Sequence, residues 1–230
     1  MPCTVALLAH TPHPDELVAA AARICYRDVT AADLLAGERE SLSEALLDQL
    51  WRSGHLSTFE HASFTFAVDG LSRVASHQLV RHRMASFSQQ SQRYVRMTGS
   101  SVIVPPSVAD MPEAEALFRR QSEASFAAYR RLVELGVPAE DARFILPHGW
   151  ETRLVLTMNA RELHHFFHLR LCRRAQWEIR ALARRMLLLC RQEAPVLFKK
   201  AGPSCIFGAC SEVKPCGRPF KDMEDLLVED

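Results

Sequence analysis

The sequence lacks any apolar run of about 18 residues, the length that a membrane-spanning helix needs, although 48% of its 230 residues are hydrophobic. Its first residues, MPCTVALLAHTPHPDE, place no basic segment before their short apolar patch, which argues against a secretory signal peptide. We therefore expect no membrane association and a cytoplasmic location, in which the seven cysteines stay reduced.

Lysine is scarce, with 4 residues against 24 arginines, yet the formal net charge is only +1. A nearly neutral chain has no overall positive field to attract a long polyanion, so we expect no nucleic-acid partner. The arginine excess either follows genome composition or includes guanidinium groups that hold phosphates and carboxylates in bidentate fashion. The positions of the arginines decide between these explanations.

Several common site motifs are also missing. The chain has no GxGxxG after a predicted strand and no GxxxxGK[ST], which excludes the Rossmann and P-loop devices for binding phosphates. It has no HExxH, and Cys205, Cys210 and Cys216 follow a C-x4-C-x5-C spacing with no fourth ligand nearby. We therefore predict no metal site. A cysteine nucleophile is not indicated either, because no cysteine lies in the polar segments described below.

Hydrophobic periodicity predicts an α+β chain with a few strands scattered among long helices. Strands are predicted at 61–69, 101–105 and 151–158. Helices are predicted at 14–26, 42–52, 71–83, 112–136, 138–146, 160–172 and 175–193, with Ser41 or Ser43 and Asn159 as N-caps of two of them. We interpret residues 1–230 as one domain with a mixed or antiparallel sheet flanked by long helices, ending in a cysteine-bearing tail at 198–230.

The densest polar stretch joins the end of the predicted helix 71–83 to a segment that reads as a Ser/Gln loop. It contains Gln78, Arg81-His82-Arg83 and Gln89-Gln90-Ser91-Gln92-Arg93, and almost no acid. Guanidinium forks suit phosphate oxygens, while amides and hydroxyls can read the edge of a planar heterocycle. The alternative is a solvated helix end whose arginines are favourably placed at the negative end of the helix dipole.

Two further segments are polar. Residues 54–61, GHLSTFEH, lead into a predicted strand and have the polarity expected of any loop. In the predicted helix 160–172, Arg161, His165 and His168 share one face, where the histidines face a ligand or the core rather than a metal. Arg143 has no distinguishing feature and reads as a surface residue.

Taken together, these residues resemble the flavin-dependent thymidylate synthases, whose signature is matched by Arg81-His82-Arg83 followed by seven residues and Ser91. The resemblance covers about residues 50–197 in the family's order. Its further matching segments are Gly54-His55, Glu60-His61, Gln78, Arg93-Tyr94, Arg143, Leu146-Pro147, Thr152-Arg153, Asn159-Ala160-Arg161, Leu169-Arg170 and Ala175-Gln176-Trp177-Glu178.

The resemblance implies that the chain reductively methylates the uracil C5 of dUMP, which gives dTMP. It further implies that 5,10-methylenetetrahydrofolate donates the methylene group, that NADPH reduces an FAD cofactor, and that the reduced flavin supplies the hydride. The family's assembly is a homotetramer with active sites between subunits. Because Arg81-His82-Arg83 and Asn159-Ala160-Arg161 are far apart in sequence, we expect different subunits to supply them.

The resemblance also implies the site residues. Arg170 would face N3 and O4 of uracil and activate C5, and Ser91 would be a hydrogen-bonding residue near the nucleotide. The implied dUMP contacts are Gln78, Arg81, Gln89, Gln90, Ser91, Gln92, Arg93, Arg143 and Arg170. The implied FAD contacts are His55, Ser57, Arg81, His82, Arg83, Gln89, Asn159, Arg161 and His165. Gln89 and His165 depart from the family pattern, in which Glu and Asn are common.

Two alternatives from other functional classes stay open at this stage. One is a protein that binds or modifies RNA through the Arg/Gln/Ser stretch, which the near-neutral charge and the lack of an aromatic-interleaved basic stripe disfavour. The other is a flavoprotein or nucleotide-binding regulator that has the fold but no catalytic activity. Formation of dTMP distinguishes an enzyme from both.

Overall fold

A computed structural model describes residues 3–25, 27–28, 30, 44–99 and 101–228. Its sheet contains four strands: β1, Thr4–His10; β2, Ser63–Ser72; β3, Ala85–Gln89; and β4, Glu151–Asn159. They lie in the order β1-β2-β4-β3, and each neighbouring pair is antiparallel. The predicted mixed or antiparallel sheet is therefore antiparallel.

Helices surround this sheet. They are α1, Pro14–Ile24; α2, Glu44–Arg52; α3, Arg73–Leu79; α4, Pro106–Ala109; α5, Pro112–Glu134; α6, Ala139–Ala142; α7, Ala160–Arg170; α8, Trp177–Glu193; and α9, Met223–Val228. Short 3-10 segments occupy Leu56–His61, Arg143–Ile145 and Ser204–Ile206. Within the described ranges, no helix combines the length and the apolar character needed to cross a membrane.

Most of the long predicted elements are confirmed to within a few residues, but the helix predicted at 71–83 is wrong at both ends. β2 continues through Ser72, which pairs with Glu151 of β4. The Ser72 side chain then accepts a hydrogen bond from the Ala75 backbone N–H at 3.0 Å and caps α3. Because α3 ends at Leu79, Arg81-His82-Arg83 lies in the connection beyond the helix.

The sequence interpretation also missed two strands, the four-residue helix α4 and the last helix. β1 read only as a short apolar patch, and β3 read as part of the Ser/Gln loop. The strand predicted at 101–105 is reduced to one bridge between Val102 and Trp150. The helix predicted at 138–146 divides into α6 and a 3-10 turn, and the tail contains α9. The proposed N-caps Ser41 and Ser43 lie outside the described residues.

The main core lies between the sheet and the helices α7 and α8. Phe64 and Phe66 of β2 are fully buried in the same cluster as Phe166 and Phe167 of α7. Complete burial of such side chains stabilises a fold by about 1.5–3 kcal/mol each. A smaller cluster around Tyr129 and Trp150 joins α5 and α6 to the start of β4. That residues 1–230 form a single domain stays a prediction.

A buried carboxylate fixes the junction between β2 and α3. Glu178, in the first turn of α8, accepts hydrogen bonds from the Ser72 backbone N–H at 2.6 Å and the Ser72 hydroxyl at 2.5 Å. The Gln176 side chain caps the same helix by accepting from the N–H groups of Glu178 and Ile179. The start of α8 therefore positions α3, which carries Gln78 towards the candidate site.

Buried His164 predicts a pH-dependent stability. Its Nε2 donates to the Leu197 carbonyl at 2.9 Å, its ring packs against Phe59 and Phe198, and burial lowers its pKa to about 4. The pKa of histidine in an unfolded chain is about 6.5, so the unfolded state binds a proton first as the pH falls. We expect this residue to leave the free energy of unfolding unchanged above about pH 7 and to lower it by about 2 kcal/mol at pH 5.

The measurement for His164 is urea unfolding at both pH values. His164→Gln keeps a side-chain donor for the Leu197 carbonyl but cannot titrate, so its free energy of unfolding should change less than that of the wild type over this interval. An equal change in both proteins would contradict the assignment of the pH dependence to His164.

Candidate active site

His82 is the centre of a buried hydrogen-bonded cluster. Its Nδ1 lies 2.9 Å from Glu162 Oε1, and Arg170 Nε donates to its Nε2 at 3.0 Å. Because a guanidinium only donates, His82 Nε2 must carry the lone pair and Nδ1 the proton, which it donates to Glu162. Burial lowers the pKa of His82, the hydrogen bond to Glu162 opposes this, and the Arg170 charge lowers the pKa further. The ring is therefore neutral at physiological pH and its orientation is fixed.

Arg170 brings this cluster into contact with α3. Its Nη2 donates to the Gln78 carbonyl at 3.3 Å, and the residue is half-buried. Burial lowers the pKa of the guanidinium from its ordinary value, yet an arginine stays charged in proteins. Arg170 is thus a neighbour of His82 and Gln78, although 88 and 92 residues separate it from them in sequence. Arg81 and Arg83, on either side of buried His82, are exposed.

The start of α7 places Glu162 beneath His82. The Asn159 side chain accepts a hydrogen bond from the Glu162 backbone N–H at 2.9 Å, which confirms Asn159 as an N-cap. This cap fixes the helix where β4 ends. Glu162 is buried and binds His82, but the sequence analysis missed it because nothing in the linear pattern connects residues 82 and 162.

The segment 89–93 forms a second group at the end of β3. Gln89 Nε2 donates to Ser76 Oγ at 3.1 Å and to Thr152 Oγ1 at 3.0 Å. The Gln90 N–H donates to the Arg153 carbonyl, and Ser91 Oγ accepts from the Arg93 N–H at 3.2 Å. Buried Gln92 has no hydrogen-bond partner for its Nε2 within the part of the chain described.

Arginines from distant segments meet beside this second group. Arg93 Nε donates to a Glu140 carboxylate oxygen at 2.9 Å, and Arg143 Nε donates to the Glu140 carbonyl at 3.0 Å. Burial and the nearby Arg143 charge lower the pKa of Arg73, whose Nη1 is buried without a partner among the described residues. The sequence analysis found neither Glu140 nor Arg73. The polar stretch lacks acids in sequence, but the fold supplies Glu140 and Glu162 to it.

A cleft of about 690 Å³ forms the third group. Arg161 donates to Glu60 at 2.6 Å and so holds α7 against the 3-10 segment Leu56–His61. In that segment Thr58 Oγ1 is buried without a partner in the described chain. The residues that line the cleft are Trp51, Leu56, Glu60, Met84, Asn159, Arg161, Glu162, His164, His165, His168, Lys200 and Gly202.

The cleft gathers only some of the residues that the resemblance implies for FAD. Asn159, Arg161 and His165 line it, whereas the exposed His55 and Ser57 are outside its lining. Gln89 is turned towards Ser76 and Thr152 instead. Both ring nitrogens of His82 are already hydrogen-bonded. One chain therefore presents three neighbouring polar groups with many donors, and none of them contains a cysteine.

Comparison with known proteins finds thymidylate synthases by both the family model and the individual relatives. The family model described as "Thymidylate synthase complementing protein" matches residues 6–196. The flavin-dependent thymidylate synthase of Geobacter sulfurreducens is 54% identical over 214 residues, covering 90% of each chain. That of Nitratidesulfovibrio vulgaris is 48% identical and covers 93% of this chain and 94% of its own.

A solved structure has the same fold. It is the crystal structure of the UMP/dUMP methylase PolB from Streptomyces cacaoi bound with 5-Br dUMP, which aligns with a TM-score of 0.75 and 30% sequence identity. The alignment covers 86% of this chain and 93% of that one.

Proposed function

The chain belongs to the flavin-dependent thymidylate synthase family, and from this premise we propose that it methylates C5 of dUMP to form dTMP with a flavin cofactor. The observation that carries the proposal is the buried cluster in which Arg170 binds His82 of the signature segment. A guanidinium held at N3 and O4 of uracil favours the ionised ring and makes C5 more nucleophilic. This activation requires no covalent bond to the enzyme.

The residues of the cleft fit a flavin nucleotide. The volume of the cleft, about 690 Å³, lies within the range of about 300–1,000 Å³ that is typical of ligand sites. Asn159, Arg161 and His165 offer hydrogen-bonding groups along its wall. We propose that exposed Arg81 and Arg83 hold the pyrophosphate and that His55 and Ser57, at the start of the 3-10 segment Leu56–His61, contact the flavin. When bound, FAD supplies the hydride that completes the methyl group.

His82 is one of the residues that the resemblance implies for FAD, and we propose that it positions other side chains. Because both of its ring nitrogens are occupied, it acts through Arg170 and through the ring contact with His165, whose centroid lies 5.7 Å away. For Gln89 the hydrogen bonds to Ser76 and Thr152 favour the nucleotide side over the cleft.

The dUMP site is proposed at the segment 89–93 together with Arg143, Arg170, Gln78 and Arg81. Arg93 and Arg143 form a pair of guanidiniums held by Glu140, which suits a phosphate monoester. Buried Gln92 offers an unsatisfied N–H donor to the same ligand. Gln90 and Ser91 complete the segment.

We further propose that 5,10-methylenetetrahydrofolate and NADPH are co-substrates and that the enzyme is a homotetramer. Large apolar side chains are exposed beside the proposed site, with Met84 at 69%, Tyr94 at 81% and Phe144 at 84% exposure. Such a surface is typical of an interface. We also propose that different subunits supply Arg81-His82-Arg83 and Asn159-Ala160-Arg161 to one flavin site, although within one chain His82 and Glu162 bring the two segments together. A partner subunit would then cover the surface that carries these segments.

The purified protein should be yellow, with flavin absorption bands at about 370 and 450 nm. Analytical ultracentrifugation monitored at the longer wavelength should find the flavin only in the oligomer. A protein that binds no flavin, even when supplied with FAD, would refute the cofactor assignment. A monomer with full FAD occupancy would refute the dependence on assembly.

Ser91→Ala is expected to slow dTMP formation by about tenfold to a hundredfold without abolishing it, which corresponds to about 1.4–2.7 kcal/mol. The hydroxyl accepts from the Arg93 N–H and, among the described residues, hydrogen-bonds no general base, so we expect it to order the segment rather than attack the substrate. The measurement is kcat/KM for dUMP, with Ser88→Ala, an exposed position on β3, as the control. A nucleotide mass attached to Ser91 in protein quenched during turnover, together with an inactive alanine variant, would contradict this role.

A further inference from the structure

Four cysteines line one small cavity next to α7. Cys172 follows the C-terminus of that helix, and Cys205, Cys210 and Cys216 come from the C-terminal tail. The cavity has a volume of about 140 Å³, and all four thiols are free. The linear spacing suggested three cysteines without a fourth ligand. The fold supplies the fourth from a position far upstream of the other three.

The tail around these cysteines is folded back onto the connection between α7 and α8. Arg174 forms an ion pair with Glu212, with 3.7 Å between Nε and Oε2, and also donates to the Lys214 carbonyl. The Ser211 N–H donates to Ser204 Oγ at 3.0 Å. These contacts bring the cysteine-bearing loop to Cys172. Regular structure between residues 201 and 222 is limited to the short turn Ser204–Ile206, so the loop depends on such local ties.

A tight turn after Cys216 directs a backbone N–H at its sulfur. Gly217 adopts a φ of 73°, a left-handed conformation that glycine tolerates best. The resulting turn directs the Arg218 N–H at Cys216 Sγ, with 3.4 Å between nitrogen and sulfur. The turn therefore holds Cys216 at the wall of the cavity, with its sulfur accepting one backbone N–H.

The charges around the cavity suit a metal bound by four thiolates. One divalent ion with four thiolates has a net charge of −2. Arg173 and Arg218 both line the cavity, Arg173 is also paired with Asp225, and the one carboxylate of the lining, Glu212, is paired with Arg174. Zn²⁺ is redox-inert and accepts four cysteines in tetrahedral, closed sites that stabilise loops with little core of their own. An iron–sulfur cluster uses the same ligands but serves electron transfer.

We propose that Cys172, Cys205, Cys210 and Cys216 bind one Zn²⁺, which fastens the C-terminal tail to the end of α7. Within the described ranges, no three metal-ligating side chains are already gathered into a coordination sphere. Binding therefore requires the side chains and the tail loop to move inward, and it releases the four thiol protons. The cavity shares His168 with the proposed flavin cleft, so the metal would also stiffen one wall of that cleft.

The test is the metal content of full-length protein produced in zinc-supplemented medium and purified with a reductant and without chelators. By inductively coupled plasma mass spectrometry we expect about one zinc per chain in the wild type. Cys172→Ser and Cys216→Ser should each contain less than about a tenth of that amount. Cys25→Ser is the matched control, because Cys25 is exposed and lies outside the cavity. It should retain the zinc.

A second measurement covers the case in which the serine variants fail to fold. Titrating the wild-type protein with an organomercurial should release its zinc to a colorimetric dye in step with modification of the four thiols. Absence of zinc, zinc that survives Cys172→Ser, iron with labile sulfide, or disulfides among these cysteines in intact-mass analysis would each overturn the proposal.

Discussion

Arg170→Ala is expected to reduce dTMP formation by about 10²–10³-fold or more while FAD stays bound. The substitution removes the charge proposed to face uracil, and it also removes the Nε donor that holds His82 Nε2. Arg170→Lys should recover little, because one ammonium cannot replace a planar fork that donates to His82 and to the Gln78 carbonyl. The measurements are kcat and KM for dUMP together with the flavin absorption spectrum.

The matched control is Arg131→Ala, which removes an exposed arginine of α5 that pairs only at the surface with Glu134. Its turnover should equal that of the wild type. Near-normal turnover in Arg170→Ala would mean that uracil is activated elsewhere, with Arg143 and Arg93 the next candidates. Loss of flavin together with activity would indicate that Arg170 acts on the cofactor site rather than on dUMP.

Glu178→Ala is expected to lower the free energy of unfolding by about 3 kcal/mol. The Glu178 carboxylate accepts both the backbone N–H and the hydroxyl of Ser72, and all of these groups are buried. Without it the Ser72 N–H is left unsatisfied in the interior. For a chain of this size the loss corresponds to a fall in Tm of about 6–12 °C. Chemical and thermal unfolding of the flavin-loaded protein measure both quantities.

Glu193→Ala on the same helix is the control for Glu178. Its carboxylate lies at the C-terminus of α8 and contacts His10 at the partly exposed surface, with 3.2 Å between Oε2 and Nε2. An exposed pair of this kind contributes about 0–1 kcal/mol. Because Ser72 caps α3, which carries Gln78, Glu178→Ala should also raise the KM for dUMP. Equal stability losses in the two variants would contradict the role of Glu178 as the link between α8 and α3.

Local signals in the sequence were sufficient for the long elements. The 23-residue helix α5 and the alternating strand β4 were predicted because their periodicity extends over many residues. β3 was missed because its five residues, ASFSQ, are mostly small or polar and acquire strand geometry only by pairing with β4. β1 was missed because a short apolar run is equally compatible with either kind of element.

The site shows the same division between local and distant information. The resemblance rests on the linear signature of Arg81-His82-Arg83 and Ser91. The partners that hold this segment, Glu162 for His82 and Glu140 for Arg93, come from elements 80 and 47 residues away. Cys172 is a third example, because its neighbours in the tail became visible only in the folded chain. Such pairings depend on how the helices pack against the sheet and against each other, and a local sequence pattern does not show this packing.

The most direct test of the account is single-turnover formation of dTMP by the flavin-loaded protein. The flavin is first reduced, and the protein is then mixed with dUMP and 5,10-methylenetetrahydrofolate without NADPH. We expect about one dTMP per flavin, formed in step with the return of flavin absorption, and repeated turnover once NADPH is added. A protein whose flavin is bleached by NADPH but that forms no dTMP with both substrates would contradict the proposed function and indicate a non-catalytic flavoprotein.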